Sequence, residues 1–310
     1  WQLPLGSRTA KGKAIVNILP IQTGVSIAAI MPVDRDEADW ADLQVVFATA
    51  KGTVRRNKLS DFTNVNRAGK IAMKFEDDQA DNTLINARIA SNDDDVMLVT
   101  NAGRAIRFPA TDVRGFNSRA SVGVRGIRLS GDDTVVSMSI IPHFEAEASE
   151  RAAYLKMRRA MAGLADDAEV ETDEDEDAVA PGAISPDRYA EMSAAENLIL
   201  TITAKGSGKL SSSHDYPVRG RGGMGVTAMD KNMRGGALVS SFPVDLSDQI
   251  MLVTSTGQSI RVPVEGISFR SRGAGGVKVF DTAKGEEVVS VAWIADQGDA
   301  EDTEGGATES

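Results

Sequence analysis

Five stretches of the sequence combine glycine with clustered Lys and Arg, the residue types that bind phosphate groups. Arg and Lys neutralise phosphate charge, while glycine allows backbone N–H groups to come close to a phosphate. These stretches, called the Arg/Gly bends, span residues 7–18, 66–75, 118–129, 219–229 and 271–280. Because cations recur in all five bends, the sequence predicts a surface that binds a polyanion.

The candidate contacts are the cations within or directly beside the bends. For a single bend, an ordinary solvated turn would be the better interpretation, whereas cations repeated in register favour a binding surface. The candidates are Arg8, Lys11, Lys13, Arg67, Lys70, Lys74, Arg119, Arg125, Arg128, Arg219, Arg221, Arg270, Arg272 and Lys278.

A hairpin pattern sets the bends at a regular interval. An aliphatic and β-branched run, a polar turn ending in glycine and a second run occur four times, and glycine supplies the positive φ of a tight turn. The turn glycines are Gly52, Gly103, Gly206 and Gly257, so two intervals are 51 residues and the middle one, 103, contains an insertion. A third strand-like segment closes each unit, at 26–33, 83–90, 134–141, 237–244 and 287–294.

This repeat predicts the fold class. A unit of about 50 residues with four short strands has the size of a propeller blade, and such units bury their faces by stacking on neighbours. We therefore expect an all-β, β-propeller-like protein with four whole repeats and the end of a fifth. The alternative is a β-sandwich. In that fold, the common period of the hairpin, the bend and the third strand would be a coincidence.

Two segments fall outside the repeat. Residues 146–164 contain good helix formers, and Ser185 followed by Pro186 is typical of a helix start, so a helical hairpin is expected there. The acidic stretch 166–177 and the acidic tail are expected to be disordered. The predicted domains are blades at 1–143, a helical and acidic insertion at 144–196, blades at 197–295 and a disordered tail at 296–310.

The net charge of −11 is unevenly divided among these segments. The insertion carries −10 and the tail −6, which leaves +5 on the repeats. Blades stacked radially would place the bends along one curved basic rim, which suits bent duplex DNA. We therefore predict duplex DNA as the partner, with the acidic segments competing for the same cations.

Other chemistry has little support in the sequence. No cysteine is present, which excludes disulfides and fits a reducing cytoplasm. His143 and His214 have no metal-ligand partner at a useful spacing, so both are expected to be structural. The string GSGK at 206–209 lacks the spacing of a phosphate-binding loop, and no apolar run reaches the ~18 residues of a membrane span.

The repeat also resembles a known family. The strings VMLVTNAGRAIRF, SRASVGVRGIRL and GKAIVNILPI are similar to the C-terminal domain of bacterial DNA gyrase A, one of the two proteins of that type II topoisomerase. That resemblance extends over all five repeat copies. It implies a six-bladed β-pinwheel, a relative of the propeller in which hairpins are exchanged between blades, and a domain that wraps duplex DNA around its rim with positive handedness.

The same resemblance implies what other parts of the whole enzyme supply. ATP-dependent strand passage, which yields negative supercoils, uses ATP and Mg²⁺ on other domains, so no cofactor, metal or catalytic residue is expected here. The implied partners are duplex DNA, the rest of gyrase A and gyrase B in an A2B2 enzyme, located in the cytoplasm at the nucleoid, with no membrane. Since the sequence around Trp1 looks like the middle of a domain, we expect a fragment whose first repeat lies upstream.

The family's heptapeptide, Gln-Arg-Arg-Gly-Gly-Lys/Arg-Gly, belongs to that first repeat. The nearest string here is RGRGGMG at 219–225, where Met224 replaces a cation, so the special role of the heptapeptide is not carried over. Two alternatives stay open. The equivalent domain of topoisomerase IV bends DNA without full wrapping, and a protein-docking propeller would present an apolar or mixed-charge face. The regular repeats favour the gyrase domain over the former, and the repeated cations disfavour the latter.

Overall fold

A computed structural model describes residues 13, 17, 19, 21, 24–33, 36–66, 69–76, 81–119, 121–163, 181–230, 232 and 235–295. The chain divides into two compact units. Unit 1 comprises Trp1–Thr100, Arg104–Glu145 and Pro217–Val226, and unit 2 comprises Asn101–Gly103, Ala146–Tyr216 and Thr227–Ser310. The predicted domain boundaries at 143/144, 196/197 and 295/296 stay predictions.

Short antiparallel strands dominate the described residues, and two α-helices interrupt them. Helix α1 spans Ala148–Met161 and helix α2 spans Pro186–Ala195. The strands are β1 Gln44–Thr49, β2 Thr53–Lys58, β3 Leu84–Ala90, β4 Asp94–Thr100, β5 Arg104–Pro109, β6 Val124–Arg125, β7 Val135–Pro142, β8 Leu198–Thr203, β9 Ser207–Ser212, β10 Val226–Thr227, β11 Leu238–Val244, β12 Gln249–Thr254, β13 Ser259–Pro263, β14 Val277–Lys278 and β15 Val288–Ile294.

Unit 1 is built on two sheets with the strand orders β3-β1-β2-β6 and β10-β5-β4-β7. Aliphatic side chains of both sheets form one buried core that includes Val46, Val54, Leu98, Phe108 and Ile127. A second cluster, around Trp40, Phe47 and Leu59, covers the other face of the first sheet. Successive residues of β1 thus pack into two different clusters, and the strand is buried on both faces.

Unit 2 is built on a four-stranded sheet, β11-β8-β9-β14, and a three-stranded sheet, β13-β12-β15. Its core contains Leu200, Ile202, Leu210, Ile250 and Leu252. Within the described part of the chain, the last sheet therefore has one strand fewer than the other three.

The predicted hairpins are confirmed as the β1–β2, β4–β5, β8–β9 and β12–β13 pairs. Their turn glycines Gly52, Gly103, Gly206 and Gly257 have φ values of 81°, 83°, 77° and 85°. A residue with a Cβ rarely adopts this left-handed conformation. The glycines that recur at an interval of 51 residues therefore mark the hairpin turns of successive repeats.

In three sheets the strand beyond the hairpin comes from an Arg/Gly bend of the following repeat. These exchanged strands are β6 beside β2, β10 beside β5 and β14 beside β9. A glycine precedes each one and allows close approach: a Cβ on Gly123 would lie 2.6 Å from Val54 O, and one on Gly225 would lie 2.3 Å from Ala105 O. The all-β fold of propeller-like blades predicted from the repeat is confirmed.

The two helices lie in unit 2, as the predicted helical hairpin requires. Ser185 caps α2 by accepting a hydrogen bond from Arg188 N, and Pro186 follows it, as predicted. The Tyr154 ring of α1 packs against the rings of Tyr189 and His214, with both centroid distances 5.0 Å. Helix α1 ends at Met161, three residues before the predicted end, and the acidic stretch 166–177 and the tail 296–310 lie outside the described residues. Neither helix has the length and apolar character needed to cross a membrane.

Candidate nucleic-acid interface

The exchanged strands carry exposed cations at equivalent positions. Arg125 of β6 pairs with Thr53, and Lys278 of β14 pairs with Ser207, so each cation lies opposite the residue that follows a turn glycine. Both side chains are exposed, and each lies on the outermost strand of its sheet. An outermost strand lets a cation reach a ligand as large as DNA without moving the core.

In unit 1, three of the predicted contacts lie together. The Arg221 guanidinium donates to Asp112 O at 3.0 Å and to Arg125 O at 2.9 Å. The backbone N–H of Arg128 donates to Gly223 O at 2.8 Å, which joins the bends of two repeats. Arg125, Arg128 and Arg221 are exposed, so this basic cluster faces solvent.

The surface beside the basic cluster is of mixed charge. An open cavity there is lined by Lys51, Arg125 and Arg128 and by the carboxylates of Asp81, Asp132 and Asp133. Lys51 forms an ion pair with Asp81 at 2.7 Å, and this pairing lowers the pKa of the Asp81 carboxyl. The carboxylates limit how much phosphate this cavity itself can attract.

In unit 2, one predicted contact is not at the surface. Arg272 is only 5% exposed, its guanidinium donates to Thr227 O at 2.7 Å, and its backbone N–H donates to Asp215 at 2.7 Å. This guanidinium holds the bend against its own unit, and burial prevents it from reaching a phosphate. Arg270 is half-buried, while Lys278 is exposed and forms an ion pair with Asp281.

The remaining candidates have varied environments. Lys13 and Lys74 are exposed, and Arg119 and Arg219 are half-buried. Lys70 is half-buried and its ammonium donates to Thr63 O. Arg8, Lys11 and Arg67 lie outside the described residues.

Three further cations, which the sequence analysis missed, bind the bends from the neighbouring hairpin. Arg55 on β2 donates to Ser121 O and, at 2.8 Å, to Ser121 Oγ. Arg104 on β5 donates to Met224 O and, at 2.5 Å, to Gly225 O. Lys209 on β9 donates to the carbonyl oxygens of Ser271, Arg272 and Ala274. All three donate to the chain's own backbone, at the bends that carry the predicted contacts.

Both histidines have protein partners. His143 Nδ1 lies 2.8 Å from the carboxylate of Asp95, which also forms a 2.8 Å ion pair with buried Arg107. His214 Nε2 lies 2.8 Å from Met192 O, where it joins the hairpin to α2. Among the described residues, no group of His, Asp and Glu has the arrangement of a metal site.

Comparison with known protein families identifies the repeat. The model of a family described as the DNA gyrase C-terminal domain, β-propeller, matches residues 44–88, 94–142, 197–245 and 248–292. Each match begins at one of the four hairpins and ends with the strand that closes that repeat. The chain belongs to this family. The predicted resemblance to the C-terminal domain of DNA gyrase A is therefore confirmed.

Several proteins similar to this chain are A subunits of DNA gyrase. The protein of Granulibacter bethesdensis is 45% identical over 301 residues, which are 94% of this chain and 32% of the relative. That of Rickettsia bellii is 37% identical, with 96% of this chain and 32% of the relative covered. That of Escherichia coli is 32% identical, with 97% and 28% covered. The chain thus spans about a third of the length of the curated relatives it matches.

Two solved structures share the fold of this chain. A structure of the DNA gyrase A C-terminal domain has a TM-score of 0.65 and 20% identity, and the match covers 92% of this chain and 76% of that one. A crystal structure of the C-terminal domain of DNA topoisomerase IV has a TM-score of 0.66 and 18% identity, covering 91% and 70%. The fold is common to both kinds of domain.

Proposed function

We propose that this chain binds duplex DNA through the exposed cations of its bends and exchanged strands. The observation that carries the proposal is the equivalent placement of exposed Arg125 and Lys278 on outermost strands, in a chain of the gyrase C-terminal domain family. Phosphate contacts of this kind are independent of base sequence. Contacts repeated on successive blades would follow a curved path, so the bound duplex is bent or wrapped.

We further infer that the chain acts as the C-terminal part of a gyrase A protein. In that assembly, with the rest of gyrase A and with gyrase B, wrapping presents a DNA crossing of fixed handedness to an ATP-dependent strand-passage reaction. The result is negative supercoiling, and the cellular setting is the bacterial cytoplasm at the nucleoid. We assign the catalytic and nucleotide-binding groups to other parts of that enzyme, because this chain corresponds to about a third of the length of its relatives.

The topoisomerase IV domain remains a second candidate because its fold matches this chain as well as the gyrase domain does, with TM-scores of 0.66 and 0.65. The relatives named as gyrase A proteins, at up to 45% identity, support the first candidate. The two functions differ in whether DNA is wrapped or only bent. Sealing a nicked plasmid with DNA ligase in the presence of the chain distinguishes them. Wrapping shifts the linking number of the sealed plasmid, whereas bending alone leaves it unchanged.

Salt dependence tests DNA binding itself. If the chain neutralises on the order of 6–10 phosphates, its affinity for a duplex should fall about 10³–10⁵-fold between 50 and 200 mM salt. Fluorescence anisotropy with duplexes of two unrelated sequences should give the same slope for both. A flat salt dependence would reject the basic interface and favour a protein-docking function.

A further inference from the structure

Lys209 is a fully buried cation surrounded by backbone oxygens. Its side chain has no exposed surface, and its ammonium donates to Ser271 O at 2.9 Å, to Ala274 O at 2.6 Å and to Arg272 O. All three oxygens belong to the bend at 271–280, which also provides β14. A buried cation is costly unless it is fully hydrogen-bonded, so this contact fixes the bend to β9.

The same arrangement recurs at the equivalent position of unit 1. Arg55 is also fully buried and lies three residues after turn glycine Gly52, as Lys209 lies three after Gly206. Its guanidinium reaches Ser121, which lies three residues before β6, as Ala274 lies three before β14. A buried cation that binds the bend before an exchanged strand is therefore a repeated feature of the fold.

The hairpin beside the third exchanged strand, β10, uses a cation at a different position. Ile106 occupies the position equivalent to Arg55 and Lys209, and its aliphatic side chain carries no charge. Arg104, two residues earlier on β5, donates to Met224 O and Gly225 O in the bend that provides β10. Each of the three exchanged strands thus follows backbone carbonyls that bind a cation of the neighbouring hairpin.

This contact also orients the backbone of the bend. Because the peptide unit is planar and trans, a carbonyl that faces Lys209 directs the following N–H the opposite way. The carbonyls of Arg272 and Ala274 face Lys209, so the N–H groups of Gly273 and Gly275 point away from it. The N–H of Ala274, between these two glycines, donates to Ser271 O at 3.1 Å, so the bend is held in one conformation from both sides. Exposed Lys278 follows Gly275 three residues later, and its position depends on that conformation.

We propose that Lys209 and Arg55 are positioning residues for DNA binding, which hold the carbonyls of the bends inward and thereby set the position of the exposed cations Lys278 and Arg125 that face the phosphates. The inference rests on the proposed DNA-binding function. Lys209 itself contacts no phosphate, since it is enclosed by its own chain.

The test compares Lys209→Met with Lys205→Met in the 310-residue chain. Lys205 is exposed in the turn of the same hairpin, so the control removes the same charge without touching the bend. Lys209→Met should lower the salt slope of duplex binding by about one to two phosphate equivalents, although the residue cannot reach DNA. An unchanged affinity and slope in a folded Lys209→Met variant would overturn the proposal, whereas weak, salt-independent binding by the unsubstituted chain would reject the proposed function instead.

A double-mutant cycle with Lys278→Ala separates positioning from general destabilisation. If Lys209 acts through the bend, the losses in DNA affinity from Lys209→Met and Lys278→Ala should be less than additive. Additive losses would mean that Lys209 affects DNA binding by another route, and would also overturn the proposal.

Should Lys209→Met fail to fold, Lys209→Arg supplies the measurement, because it keeps a permanent charge. Burial lowers the pKa of Lys209 to about 7, with Asp215, Asp230, Arg270 and Arg272 as the charged groups around it. DNA affinity of the unsubstituted chain should then fall between pH 6 and about 8.5, while that of Lys209→Arg stays constant. Identical pH profiles of DNA affinity, when urea unfolding shows that Lys209 loses its proton over the same range, would contradict the inference.

Discussion

Removing the guanidinium of Arg125 and removing that of Arg272 should have different consequences. Arg125 is exposed on β6, so Arg125→Ala should lower the salt slope of DNA binding by about one and leave unfolding unchanged. Arg272 is 5% exposed and bonded to Thr227 O, so Arg272→Ala should lower the free energy of unfolding by about 2 kcal/mol. Urea unfolding and anisotropy on the same two variants check this, and each variant is the control for the other.

Lys209 should make the stability of the chain depend on pH. Its folded-state pKa, about 7, lies below the value of an exposed lysine, because burial disfavours the charged form. Between these values the unfolded chain holds a proton that the folded chain lacks, so the free energy of unfolding should rise with pH. The rise can reach about 1.4 kcal/mol per pH unit above pH 7.

The measurement is urea unfolding of the unsubstituted chain and of Lys209→Met from pH 6 to 9. This window avoids Tyr154 and Tyr216, because burial raises the pKa of each to about 12 and their contribution begins only at higher pH. The difference between the two chains should be constant below pH 7 and should change above it. Parallel curves over the whole window would mean that Lys209 keeps its proton when buried.

At the scale of the strand, the glycine before each exchanged strand should be indispensable. A Cβ on Gly225 would lie 2.3 Å from Ala105 O, and the φ of 70° disfavours any other residue. Gly225→Ala should therefore cost about 2–4 kcal/mol of unfolding free energy. Gly220→Ala in the same bend is the matched control, since nothing lies within 4 Å of its Cβ position, and it should be nearly neutral. Equal stability of the two variants would contradict the close approach of β10 to β5.

The hairpins could be predicted from the sequence because each is a local feature. Gly52, Gly103 and their equivalents lie between two apolar runs. A turn with a positive φ requires glycine at that position, so it can be recognised in the sequence. The exchanged strands could not be assigned to a particular hairpin. Val124 and Arg125 are too few to show an alternation, and their partners, Val54 and Thr53, lie in the preceding repeat.

The buried cations show a second limit of sequence reasoning. Lys209 lies in a strand of small polar residues, where a lysine ordinarily indicates a solvent-facing position. It is buried because its acceptors at 271–274 come from a distant segment that folds over it. For the same reason Arg272 was indistinguishable in sequence from Arg125, although only the latter is exposed.

At the scale of the whole molecule, DNA contacts should be distributed over both units. Combining Arg125→Ala, Arg221→Ala and Lys278→Ala should lower the salt slope by about three and abolish DNA bending, while each substitution alone has a modest effect. The matched control combines Lys58→Ala, Lys205→Ala and Lys284→Ala, which remove the same charge from exposed positions outside the bends. Bending is measured by energy transfer between the ends of a labelled duplex. Loss of all binding in one single variant would instead indicate a localised site.

The acidic segments set the charge of the whole molecule, and they should compete with DNA. Residues 166–177 contain nine carboxylates and residues 296–310 contain six, and neither segment contains a cation, whereas the repeats carry +5. A tethered acidic segment acts at a high effective concentration on a nearby basic surface. Deleting either segment should therefore raise DNA affinity at low salt, and the gain should shrink as salt screens the attraction over ~8 Å at physiological ionic strength.

Replacing the same carboxylates with Asn and Gln, at constant length, separates charge from chain length. If competition is electrostatic, this replacement should raise DNA affinity as much as the deletion does. The sequence predicts that both segments are disordered, so the thermal unfolding midpoint should not change. Unchanged affinity at low salt would assign these segments to another purpose. A lower midpoint in the deletion variants alone would show that the backbone of the segment, and not its charge, supports the fold.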